Sequence, residues 1–143
     1  MFPVDTVGRL PQPAAAGIAL ALFAAIVPAV PTPVHAEPGS LEGSWSGGGA
    51  VRLPNGAQER ARCRARYSRA SRAIYTVNAV CATPSGRVAQ TARLQRTGAN
   101  SFAGTFYNAE YGVSGSIYVT VRGNTQRVTL TSSAGSASLR LRR

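Results

Sequence analysis

"ERARCRARYSR", Glu59 to Arg69, alternates almost without error: Arg60, Arg62, Arg64 and Arg66 on even positions, Ala61, Cys63, Ala65 and Tyr67 on odd ones. A period of two sustained over this length marks a β-strand with one face in a core and the other in water. The small and apolar set is expected inward, which turns four guanidinium groups outward.

Working outward from this stretch, the same period recurs between turn residues at intervals of about ten residues. The expected strands are Leu41–Leu53, Gln58–Ser68, Ala73–Thr83, Arg87–Arg96, Phe102–Asn108, Val113–Val121, Gln126–Ser132 and Ala137–Arg142. "LPNGA", "SRASR", "TPSG", "TGANS", "NAEYG", "RGNT" and "SAGS" separate them. Trp45, Val51 and Leu53 share a face, as do Tyr75, Val77, Ala79 and Cys81, and likewise Val113, Ile117, Val119 and Val121. No stretch carries helical periodicity. The expected fold is all-β: an eight-stranded antiparallel meander closed into a small barrel, because closure removes exposed edges. A two-sheet β-sandwich of the same strands is the alternative.

An internal echo accompanies the meander. "LEGSW" (Leu41–Trp45), "FAGTF" (Phe102–Phe106) and "VSGSI" (Val113–Ile117) share the form apolar-x-Gly-Ser/Thr-apolar. Glycine at an inward position lets a strand bend or a neighbouring side chain cross the interior.

The front of the chain reads differently. "AAAGIALALFAAIVPAV", Ala14 to Val30, is apolar, follows Arg9 and precedes "PTPVHA". With Val34 and Ala36 it fits a secretory signal over residues 1–36, cleaved after Ala36. An uncleaved anchor is the other reading, although the run is short against the roughly 20 residues a spanning helix needs. The expected domain is then 37–143, periplasmic or secreted, with no integral membrane span once the signal is gone. Two cysteines, Cys63 and Cys81, in an exported chain imply one disulfide. Pairing them across a hairpin of the second and third strands also sets Ala65 against Ala79 and Tyr67 against Val77, all inward. The register demanded by the bridge is thus the register demanded by hydrophobicity, and a one-residue slip would invert both.

Charge is the other strong signal. Downstream of residue 36 stand fifteen arginines, no lysine, and four acids: Glu37, Glu42, Glu59 and Glu110. Such an excess favours anionic partners. In the register just set, Arg62, Arg64 and Arg66 face Ala82, Val80 and Asn78 on one side. On the other, Arg60, Arg62, Arg64 and Arg66 face Ala50, Gly48, Ser46 and Ser44. No carboxylate offsets the row. Closing the barrel adds Arg140 and Arg142 beside a first strand carrying Arg52. Outward arginines on a strand recur about every 6.8 Å, and guanidinium grips phosphate, sulfate or carboxylate bidentately. The bland reading is solubility and edge protection.

Catalysis finds few tools. His35 lies in the signal, the downstream chain has no His, Asp or Lys, and its serines lack a base. "GGG" at Gly47–Gly49 lacks the surroundings of a phosphate cradle. No enzyme, cofactor or metal site is expected. Tyr107 and Tyr111, at the "NAEYG" turn with Glu110, and Trp45 are the candidates for lining one mouth of the barrel. Inward positions are small (Ala61, Cys63, Ala65, Ala79, Ala92, Gly104, Gly115, Ala137), which either leaves a cavity or lets Trp45, Tyr67, Tyr75, Phe102 and Phe106 fill a tight barrel. Dense packing favours the filled interior.

"GSW", Gly43–Trp45, near the start of an eight-stranded meander resembles the Gly-x-Trp opening of the calycins, the lipocalins and avidins. That resemblance implies that Trp45 plugs the closed end or lines a ligand cup. The overall texture also resembles small exported bacterial proteins and bacterial hydrolase inhibitors of barrel form. Lysozyme is disfavoured as a target, because lysozymes are usually basic and two basic surfaces repel. The leading expectation is an exported, non-enzymatic protein that associates with anionic polysaccharide, lipopolysaccharide or nucleic acid. Its contacts would be Arg60, Arg62, Arg64 and Arg66, aided by Arg52, Arg140 and Arg142. The rivals are a small-ligand or inhibitor barrel working through its mouth, and a structural envelope protein.

Overall fold

The computed structural model describes residues 40–143, with isolated positions 11, 14, 17 and 28–31 ahead of them. Apart from those positions, the expected signal over 1–36 lies outside the described residues. Eight strands follow in chain order: β1 (Gly43–Arg52), β2 (Gln58–Arg69), β3 (Ile74–Thr83), β4 (Gly86–Arg96), β5 (Ser101–Asn108), β6 (Val113–Arg122), β7 (Thr125–Ser132) and β8 (Gly135–Arg142). Each pairs antiparallel with the next, and β8 returns to β1, so the meander closes into a barrel. The closing ladder runs from Ser46↔Arg142 to Arg52↔Ser136, which excludes the sandwich. Every described strand has a partner on both sides, so edge protection has nothing to protect.

Alternation fixes what faces inward. Along β2, Ala61, Cys63, Ala65 and Tyr67 are buried while Arg60, Arg62, Arg64 and Arg66 are exposed. Cys63 is bonded to Cys81, their Cα atoms 4.1 Å apart. The same ladder pairs Ala65 with Ala79 and Tyr67 with Val77. Bridge and hydrophobic face therefore agree on one register, as the sequence pattern requires.

Two sets of glycines let strands approach where a side chain would collide. A Cβ on Gly47 or Gly49 would run into the carbonyl of Arg140 or Ser138 at the β1–β8 seam. At Gly115 it would lie 2.7 Å from a ring carbon of Phe106, its cross-strand neighbour on β5.

One end of the barrel is sealed. Leu41, Trp45, Tyr67, Tyr75, Leu94, Phe102 and Leu141 are all buried there. Tyr75 and Phe102 meet edge to face with centroids 5.3 Å apart, and Trp45 meets Tyr67 at 6.5 Å. Such pairs contribute about 0.5–1.5 kcal/mol beyond their buried area. Trp45 Nε1 donates to the Leu41 carbonyl at 2.8 Å, tying the lead-in across the barrel's base. Guanidinium groups cover the plug from outside: Arg143 lies 4.5 Å from the Trp45 ring centroid, Arg96 4.7 Å from Phe102, and Arg69 5.6 Å from Tyr75. Inside the plug, the Tyr67 hydroxyl donates to Gln126 Oε1 at 2.8 Å. Burial pushes the Tyr67 phenol well above its ordinary range, against a smaller opposing effect of that hydrogen bond.

Candidate functional site

The opposite end is formed by the β1–β2, β3–β4, β5–β6 and β7–β8 turns, and it is hollow. A cup of about 390 Å³ opens there. Its wall is apolar: Val51, Ala61, Val88, Phe106, Leu130 and Leu139 among others, with the sulfur-bridged Cys81 on one side. A smaller void of about 30 Å³ continues inward past Cys63, Ala65, Ala79 and Ala92. The expectation of a filled interior is therefore corrected. The aromatic residues gather at one end, and the small inward residues leave the other end empty.

Polar groups stand at a few points of the cup. Gln90 projects from mid-β4, Asn108 ends β5, and Glu59, Thr83 and Ser85 form one side of the rim. Asn108 is buried, and its Oδ1 accepts from the Tyr111 amide at 3.0 Å, which holds the β5–β6 turn over the opening. Glu59 is the one carboxylate in the lining. The Ser85 hydroxyl donates to Glu59 Oε1. That bond, with a second from Thr83, holds the carboxyl below its ordinary value. The sequence reading does not single out Gln90 and Glu59 as cup residues. Their inward parity, in line with Val88, Ala92 and Ala61, is the available signal.

The three aromatic candidates for the mouth separate. Tyr111 lines the cup. Trp45 does not: it sits in the plug at the far end, the first of the two roles implied by the calycin resemblance. Tyr107 points outward from β5, half exposed beside Thr91, in a groove on the outer wall that also takes in Arg64, Arg66 and Arg87. Its parity, opposite to that of Phe106, places it there. Glu110 is exposed in the β5–β6 turn.

The outer wall holds the arginines. Arg60, Arg62, Arg64 and Arg66 face Ala50, Gly48, Ser46 and Ser44 on β1. Across β1 stand Arg140 opposite Gly48, Arg142 opposite Ser46, and Ser136 opposite Arg52. Arg62, Arg64 and Arg66 face Ala82, Val80 and Asn78 on β3. The result is a trench with a floor of Ser44, Ser46, Gly48 and Ala50 between arginine walls. Arg66 donates to Ser44 Oγ on that floor at 3.2 Å.

No family model matches this sequence, and no curated protein matches it. Solved structures do resemble the fold. A redesigned β-barrel, mFAP1, bound to DFHBI, superposes with a TM-score of 0.61 at 12% identity, over 72% of this chain and 94% of that one. The redesigned barrel mFAP0, also bound to DFHBI, gives 0.60 at 13% identity over 72% and 98%. A fluorescence-activating β-barrel of de novo design gives 0.56 at 15% identity over 71% and 92%. At these identities the likeness is one of fold alone: an eight-stranded antiparallel β-barrel.

Proposed function

We propose that this protein is a non-enzymatic binding barrel that holds a small, largely apolar ligand in its open cup. The observation carrying this reading is the 390 Å³ apolar cup itself, closed at its base by the aromatic plug and open at the four hairpin turns. That volume falls within the range of small-molecule sites, which are apolar with a few placed polar groups. Gln90, Asn108 and the Glu59–Ser85 pair supply those groups. The resembling barrels mFAP1 and mFAP0, each bound to DFHBI, lend support by showing that the architecture accommodates a small molecule. The disulfide supports an oxidising compartment, periplasmic or extracellular. Arginines at mid-height on the outer wall weigh against a lipid-facing barrel, whose exterior is an apolar band.

The test is titration with an uncharged solvatochromic dye such as Nile red, which the arginine wall does not attract. Saturable binding is expected in the wild type. Ala61→Phe and Ala137→Phe, which fill the cup, are expected to weaken it at least about tenfold while leaving the circular dichroism spectrum unchanged. Equal binding by the filled variants would reject the cup as the site.

The trench favours a second reading: association with an anionic polymer, polysaccharide, lipopolysaccharide or nucleic acid. Its support is the row Arg60, Arg62, Arg64 and Arg66, faced by uncharged residues on β1 and, from Arg62 onward, on β3 as well. Affinity for heparin is then expected to fall steeply with salt, and Arg62/Arg64/Arg66→Ser to flatten the slope by about three counterions. A salt-insensitive affinity, or a slope unchanged in the triple variant, would remove this reading without touching the cup.

A further inference from the structure

On the side of the barrel away from β2 the arginines are arranged differently. Across β6, β7 and β8 the outer face carries two neighbouring rows. One reads Thr120, Arg127, Arg140, and the other Arg122, Thr125, Arg142. The rows interlock as a checkerboard. Thr125 has Arg122 and Arg142 as its cross-strand neighbours and Arg127 two residues along its own strand. Strands lie about 4.8 Å apart and alternate residues about 6.8 Å apart, so these arms overhang one spot. Thr120, Arg122, Thr125, Arg127 and Arg140 together line a notch of about 400 Å³.

Three features separate this notch from a merely soluble surface. Arg127 stands directly opposite Arg140, a placement of like charges that destabilises a sheet. Among the described residues, the guanidinium groups of Arg122, Arg127 and Arg140 have no hydrogen-bonded or ion-paired partner. Two hydroxyls, Thr120 and Thr125, stand between them as further donors. The β2 row strings its cations out in a line, whereas here they converge.

We infer that the Arg122–Arg127–Arg140 notch is a discrete site for one tetrahedral oxyanion group, a phosphate or sulfate monoester or the free ion. Bidentate guanidinium contacts and threonine hydroxyls match its oxygens. A bound dianion also screens the Arg127–Arg140 repulsion. The site is independent of the cup, and of the β2 row except through Arg140 at its border.

The test measures thermal stability and binding of inorganic phosphate and sulfate against chloride at equal ionic strength. A second arm uses neutral phosphatidylcholine vesicles with and without phosphatidic acid. The variants are Arg127→Gln and Arg122→Gln, with Arg64→Gln as the trench control. Wild type and Arg64→Gln should bind phosphate or sulfate in preference to chloride. Arg127→Gln and Arg122→Gln should lose about tenfold or more in affinity. Without anion, Arg127→Gln should melt about 1–4 °C higher, because the like-charge pair is gone. If phosphate is inert but phosphatidic acid vesicles bind with the same dependence on Arg122 and Arg127, the source is a lipid headgroup and the site stands. Equal effects of chloride and dianions, together with no vesicle dependence on Arg122 or Arg127, would overturn it. Equal losses in all three variants would do the same, by showing diffuse screening.

Discussion

The two ends of this barrel are built from the same eight strands with the same alternation, yet one is sealed and the other is hollow. The difference is side-chain volume graded along the axis. Read from mouth to base, β2 presents Glu59, Ala61, Cys63, Ala65 and Tyr67 inward, and β3 presents Thr83, Cys81, Ala79, Val77 and Tyr75. Parity decides which residues enter the interior; size decides where the interior is filled. The bulky end is also the end stacked under Arg69, Arg96 and Arg143, while the cup at the small end has one carboxylate, Glu59, in its lining.

The sharpest way to break the contrast is to empty the plug. Trp45→Ala removes a buried indole that fills the base, and large-to-small changes of this kind cost about 3–5 kcal/mol. Urea denaturation should show that loss, whereas Ala61→Phe, which adds volume at the hollow end, should cost less than about 1 kcal/mol. Comparable costs at both ends would mean that the cup is as tightly packed as the plug. Next in size is the Cys63–Cys81 bridge, which spans the wall between the two regions with a sequence separation of 18. Cys63→Ser/Cys81→Ser should destabilise by about 3 kcal/mol in the chain-entropy model, measured against the oxidised wild type. Because the register is also held by Ala65↔Ala79 and Tyr67↔Val77, the double variant should keep the barrel's circular dichroism spectrum.

Strand order, closure and the β1–β2–β3 registers were legible in the sequence, because alternation and one cysteine pair constrain the same ladder. The arginine row was legible for the same reason. The cup was not, since parity alone does not say whether small inward residues are covered by large ones from across the barrel. Trp45 and the Ala61 end are separated along the axis, and only the volume gradient along β2 and β3 hints at it. Gln90 is hard to see because one polar residue in an apolar series reads as an error in the pattern rather than as a wall group. The convergence of Arg122, Arg127 and Arg140 needs the β6–β7–β8 register, which no bridge or charge pattern marks in the sequence.

Within the plug, Tyr67→Phe sharpens the comparison at smaller scale. It removes the donor to Gln126 Oε1, and Gln126 Nε2 already lacks a partner among the described residues. The loss should be about 1–2 kcal/mol, since a buried amide is then left without its remaining contact. Tyr67→Phe/Gln126→Leu should restore most of it, because removing both polar partners avoids the desolvation penalty. A double variant no more stable than Tyr67→Phe would show that Gln126 matters by shape alone.

The smallest effect belongs to the rim, where Glu59 accepts from Ser85 and Thr83. These bonds favour the carboxylate, so its folded-state pKa lies below the ordinary value of 4.5. A depressed folded-state pKa stabilises the fold above the unfolded-state value, and the contribution fades as pH falls through the folded one. From neutral pH down to about 5, melting curves of wild type and Glu59→Gln should therefore differ by a constant offset. Below about 4.5 the wild type should lose its margin while the variant does not, and Ser85→Ala should shrink that acid-limb difference. Parallel curves down to strongly acid pH would mean that solvent has replaced both hydroxyls. The only carboxylate of the cup would then be free to turn toward whatever enters it, unlike the locked polar pair at the base.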